Sequence, residues 1–237
     1  MAAGHAHMIA AEGGGGAVPR DALHGRLTQG HAMQLSNSQD RYGILSIALH
    51  WLVAALFLAM LAIGVVMTRL PLTDPLTFPL YQIHKSIGAT LFFLMAVRLV
   101  WRLAGGVPDL PAGLAPLESF AARTTHAGLY AILLVMPLTG WVVVSASPFG
   151  IPTLLYGVVP LPHIGFVETS PDKATIETAA SWVHTVLAAL GAALLSLHVA
   201  AALWHHFIRR DDVLMRMLGR GRIHSPETDR EMHSWKE

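Results

Sequence analysis

Between Glu177 and Arg209 the chain runs for 31 residues without an Asp, Glu, Lys or Arg, and that run restricts the fold more than any other feature. As a helix rising about 1.5 Å per residue, it is long enough to cross a hydrocarbon core of about 30 Å. Tyr42 to Thr68 is equally free of charge, and Leu80 to Leu103 and Thr124 to Ser145 are apolar runs of comparable length. In lipid the backbone must satisfy its own hydrogen bonds, so segments like these are helices. With 53% hydrophobic and only 13% charged residues, the chain reads as an all-α membrane protein, a four-helix transmembrane bundle.

The fourth run carries His184 and His198. Fourteen residues at about 100° each return to within roughly 40° of the starting direction, so the two share a face, about 21 Å apart along the axis. The plain reading is two imidazoles hydrogen-bonded between helices. Two on one face, at two depths, favour two stacked metal centres instead, because an imidazole at membrane depth needs a partner and is a common ligand. The opposite ligands must then come from the other spans. Each has a histidine near its start: His50, His84 and His126. Fourteen residues beyond them stand Gly64, Arg98 and Gly140. A glycine there leaves room for a flat macrocycle, or equally for close helix packing. Arg98 is suited to a buried anion such as a haem propionate, while Arg102 snorkels to the interface equally well. No cysteine is present, which excludes disulfides, thiolate-bound clusters and covalent haem attachment.

Lysine and arginine set the orientation. Of the 16, all but Arg69, Lys85 and Lys173 fall in the two tails, the linker between spans two and three, and the adjoining helix ends. The positive-inside rule then predicts that both termini are cytoplasmic. Depth pairs His84 with His184 near the outer face and His50 with His198 near the inner face. His126 is also inner, as an alternative to His50 or as an interhelical hydrogen-bonding residue. Two bis-histidine sites without carboxylate or cysteine suit b-type haem better than zinc, which takes three or four protein ligands. The expectation is two haem b between helices.

Residues 1–40, rich in Gly, Ala and His, read as a disordered cytoplasmic tail, with Met33 an alternative start and no function assigned to His5, His7, His24 or His31. Residues 41–219 form the di-haem cytochrome b domain, and 220–237 a cytoplasmic tail. A Pro- and Gly-rich linker runs from Gly105 to Pro116. In the loop from Ala146 to Thr178, the run Ile151 to Leu161 is too short to span and contains Pro152 and Pro160. It reads as a cap on the membrane surface.

From Arg41 to about Gly219 the chain resembles the prokaryotic cytochrome b561 family. The resemblance rests on Ile47-Ala48-Leu49-His50-Trp51, Ile83-His84-Lys85-Ser86-Ile87-Gly88, Val97-Arg98-Leu99-Val100-Trp101-Arg102-Leu103, Trp182-Val183-His184 and Leu197-His198-Val199 running on to Trp204-His205-His206. His126, Tyr130 and Pro137-Leu138-Thr139-Gly140 fit as well. The tails depart from the family's usual short ends. The resemblance implies haem b held by the same four histidines in the bacterial inner membrane, and quinone-linked electron transfer; some members look like superoxide oxidases that pass the electron to ubiquinone. On that expectation, superoxide arrives outside, drawn by Lys85 and Arg69. Asp74, Glu168, Asp172 and Glu177 on the same side oppose that attraction. His205, seven residues past His198, is placed to hydrogen-bond a quinone carbonyl or donate its proton, or is simply an interfacial histidine. The expected partners are ubiquinone, superoxide or a redox partner protein, and membrane lipid, with no nucleic acid. Two other readings stand beside it: a membrane subunit relaying electrons between quinone and a partner dehydrogenase, and a haem-free transporter or zinc carrier.

Overall fold

The computed structural model describes residues 35–38, 41–106, 108 and 115–220, all within the second of two compact units, Gln34–Glu237. Residues 1–34, 39 and 40 of the expected disordered tail, with its four histidines and Met33, most of the linker from Gly105 to Pro116, and residues 221–237 lie outside the described residues. Four helices are long and apolar enough to cross a membrane: α1 (Ile44–Met67), α2 (Thr77–Gly105), α3 (Pro116–Ala146) and α5 (Lys173–Trp204). The fold is the expected all-α bundle of four spanning helices.

The helix ends show what the apolar runs alone understate. α3 starts at Pro116 rather than Thr124, with proline in the first turn, where its missing N–H costs nothing. Glu118 closes that turn by accepting the Ala115 N–H at 3.0 Å. α5 starts at Lys173 rather than Ala179. In both, helical hydrogen bonding continues past the edge of the apolar stretch, carrying Arg123 and Glu177 on solvated turns. Before α1, Asn37 Oδ1 accepts from the Gly43 N–H and the Ser46 hydroxyl, while its amide donates to Gly106 O, tying the start of α1 to the end of α2.

Helix α1 packs on α2, α2 on α3, and α3 on α5, whereas α5 stands off from α1 and α2. The core between the first three is Val53, Phe57, Met60, Leu91, Met95 and Leu133. At one end, here the hairpin end, β1 (Thr153–Leu155) pairs antiparallel with β2 (Val159–Leu161), Thr153 opposite Leu161. A short α4 (Gly165–Glu168) follows. The hairpin is pinned to α2 by side chains: Ser86 Oγ accepts the Tyr156 N–H at 2.9 Å, the Tyr156 and Thr90 hydroxyls meet at 2.6 Å, and Gln82 Nε2 donates to Pro152 O at 3.0 Å. Prolines disguised this strand pair in the sequence, since a three-residue ladder held mostly from outside needs little strand propensity.

At the other, tail end, α5 passes into a π-helical turn, His205–Arg209, stopped by left-handed Arg210 at φ 56°. A last helix, α6 (Val213–Met217), turns back under α1, where Trp51 Nε1 donates to Met217 O at 2.8 Å. Arg209 pairs with Glu118 at 3.1 Å, fixing the turn to the start of α3.

Candidate functional site

The gap between α5 and the α1–α2 pair is faced by histidines at both ends. At the hairpin end the rings of His84 and His184 face each other with centres 6.3 Å apart. At the tail end those of His50 and His198 are 6.1 Å apart. All four are half-buried. The fourteen-residue spacing within α5 thus meets one histidine from α2 and one from α1. His126 of α3 lies beside His198, at 5.1 Å between ring centres.

At the hairpin end, His184 is oriented by α3. The Thr139 hydroxyl donates to Met136 O at 2.7 Å, so toward His184 Nδ1, 3.0 Å away, it acts as acceptor. Met136 O also lies 3.1 Å from the same Nδ1. Both neighbours accept, so the network puts the His184 proton on Nδ1 and leaves Nε2 with a lone pair. His84 Nδ1 is buried with no hydrogen-bond partner among the described residues. Gly140 borders His184 and Gly64 borders His84; a Cβ on either would lie 3.2 or 3.5 Å from the imidazole Cε1. Sequence reasoning found the glycines but not Thr139 or the Met136 carbonyl. The Pro137-Leu138-Thr139-Gly140 run was their only trace.

At the tail end, Arg98 reaches back to α1, donating to Ser46 O at 2.9 Å and to His50 Nδ1 at 3.2 Å. Arginine only donates, so in this arrangement His50 carries its proton on Nε2. Arg98 and Arg102 both lie against the Tyr130 ring, 6.0 and 5.5 Å from its centre. Nearby, burial pushes the Tyr42 phenol above its usual range, opposed by Arg102 and then Arg98.

Between the two levels stands a layer that sequence reasoning missed. Phe57 is seven residues from both His50 and Gly64, and Gly191 is seven from both His184 and His198. The Phe57 ring, 2% exposed, crosses from α1 so that its tip lies 2.9 Å from where a Gly191 Cβ would be, with Ile132 at 3.3 Å. Of the other predicted residues, Lys85 is half-buried, its Nζ 3.4 Å from Pro152 O, and Arg69 is exposed just beyond α1. His205 opens the π-helical turn, its Nδ1 2.5 Å from Asp211 Oδ2. Asp211 was not expected there; a helix ending in a π turn that folds back leaves no mark on apolar periodicity. Among the described residues no three His, Cys, Asp or Glu side chains converge as for a bare metal ion.

Comparison with known proteins agrees with this architecture. A family model described as prokaryotic cytochrome b561 matches residues 41–220. Cytochrome b561 homolog 2 of Escherichia coli (strain K12) is 33% identical over 188 residues, covering 79% of this chain and 96% of that protein. The probable superoxide oxidase CybB of Yersinia pestis is 26% identical, covering 77% of this chain and 98% of its own. Cytochrome b561 homolog 1 of Escherichia coli is 27% identical, covering 76% and 98%. The matched region takes in all four spanning helices and both histidine pairs, and the chain belongs to the prokaryotic cytochrome b561 family.

Proposed function

We propose that this membrane cytochrome moves single electrons across the bacterial inner membrane to ubiquinone, accepting them on the periplasmic side from superoxide. Family membership implies b-type haem; two haems, one at each histidine pair, are the proposal. The observation that carries it is the spacing across the gap. Two imidazoles on opposite sides of one metal, at about 2.0 Å from metal to nitrogen and about 1.1 Å from nitrogen to ring centre, would stand about 6.2 Å centre to centre. The pairs stand at 6.3 and 6.1 Å. His126, at 5.1 Å from His198, is too close to stand opposite it across one metal. The donor set suits the group too: each pair is two imidazoles, with room at Gly64 and Gly140 and with α5 held off from α1 and α2. His184 already offers Nε2. His50 offers it once Arg98 releases Nδ1, freeing that guanidinium for an anion such as a propionate.

Held between two histidines, such a haem would supply one-electron storage and favour electron transfer over oxygen binding. The chain's own residues do the rest. With the tail end cytoplasmic, a reading that the lysine and arginine distribution supports, the hairpin end faces the periplasm. Lys85 is the cation there nearest to His84 in sequence, and Arg69 adds a second positive charge toward a small anion. His205 at the cytoplasmic end has Nδ1 held by Asp211, which leaves Nε2 as the atom that exchanges a proton with a quinone oxygen. The name of the Yersinia pestis relative supports the superoxide reading.

The test is purified protein in liposomes containing ubiquinone, with superoxide generated outside. Quinol formation without any other protein is the expected result. Strict dependence on an added dehydrogenase would favour the relay subunit, and a reduced-minus-oxidised spectrum without b-type bands would sink the haem reading. In the same assay, Asp211→Asn should slow quinol formation by about 10- to 100-fold while leaving haem reduction by superoxide unchanged. An unchanged quinol rate would remove His205 from the proton path.

A further inference from the structure

His163, in the loop between β2 and α4, plays no part in the function derived above. Its side chain is only 8% exposed, with Nδ1 3.2 Å from Glu168 Oε1. Its Nε2 is buried and has no hydrogen-bond partner among the described residues. The backbone on both sides is held to α3. Trp141 Nε1 donates to Pro162 O at 2.9 Å, and the Ile164 N–H donates to Ser145 Oγ at 2.9 Å. Ser145, 1% exposed, in turn donates to Trp141 O. Trp141 follows Gly140, the residue against His184. His163 is therefore anchored in the layer beyond the hairpin-end histidine pair.

Burying an imidazole nitrogen without a partner is costly, so Nε2 calls for one. Among the described residues the other such atoms are His84 Nδ1 and Gln82 Oε1, on the first turns of α2 at the same end, and Arg41 Nε at the other. The unmet polar demand thus concentrates around the hairpin-end pair.

We infer that His163 binds a carboxylate of the porphyrin held by His84 and His184, an inference that rests on the haem reading above. Glu168 accepts from Nδ1–H, and a propionate oxygen accepts from Nε2–H. Two acceptors require both ring nitrogens to donate, so the side chain acts as an imidazolium bridging two carboxylates. Its charge offsets the propionate's and favours the reduced state of that centre.

The experiment is a potentiometric titration of the purified protein, read by visible absorbance, with the hairpin-end wave identified as the one lost in His184→Ala. His163→Leu should retain both centres and shift the reduction equilibrium of the hairpin-end one about tenfold toward the oxidised form, about 59 mV for one electron. His163→Gln, which keeps an N–H donor, should shift it less, and Glu168→Gln should also move it. Potentials unmoved in all three variants, or moved equally at both centres, would overturn the assignment. If His163→Leu loses its pigment, the other two variants decide by the same criterion. A wild-type protein without b-type bands would overturn the haem reading itself, a different and prior failure.

Discussion

Replacing His198 by alanine should remove one of the two proposed b-type centres and leave the other, and replacing His84 should do the same at the opposite end. In each case the reduced-minus-oxidised band falls to about half, the remaining centre keeping both of its axial imidazoles. The four histidines are divided without sharing: α5 supplies one to each level, α2 the second at the hairpin end and α1 the second at the tail end. His126→Ala should leave both centres in place, since 5.1 Å from His198 falls short of the separation of two imidazoles on opposite sides of one metal. Thr139→Ala gives a graded version of the experiment. It removes the acceptor beside His184 Nδ1 while Met136 O remains, and loss of such an orienting partner typically weakens metal affinity about 10- to 100-fold. Haem content per polypeptide together with the difference spectrum reads all four. Loss of both centres in His84→Ala, or of neither, would break the pairing by depth.

What the chain showed before folding, and what it concealed, divides along one line. The spanning helices and the fourteen-residue histidine spacing are properties of single helices, and helical arithmetic along one segment reads them directly. Pairing by depth was legible too, because charge distribution orients the spans and orientation ranks each histidine. Contacts between segments were not. Arg98 reaches Ser46 O and His50 from 52 and 48 residues away, and His205 finds Asp211 only because a π turn redirects the chain. The strand pair was hidden for a related reason: Pro152 and Pro160 argue against strands locally, and the bonds that hold it come from Gln82, Ser86 and Thr90 on another element. Phe57 and Gly191 lay in plain view at the half-period. Nothing in either segment alone says that a ring from one is received by the absence of a side chain on the other.

That contact carries the second large effect. Gly191→Leu should prevent α5 from seating against the rest of the bundle and so lose both b-type centres together, unlike any single histidine change. In a helix, glycine to alanine is ordinarily favourable by up to about 1 kcal/mol. Here the sign reverses. The new Cβ would stand 2.9 Å from the Phe57 ring tip and 3.3 Å from Ile132, and Phe57 is too deeply buried to swing clear. Overpacking of this kind costs about 1–3 kcal/mol for alanine, more for leucine, and with lipid outside there is little hydrophobic drive to force the helices together. Shortening the opposing ring should relieve the clash. Gly191→Ala with Phe57→Leu is expected to recover the thermal stability and haem content that Gly191→Ala loses, with a coupling of about 0.5–3 kcal/mol in the double-mutant cycle. Additive losses would mean that the two residues do not meet and that the two histidine levels are separated by something else.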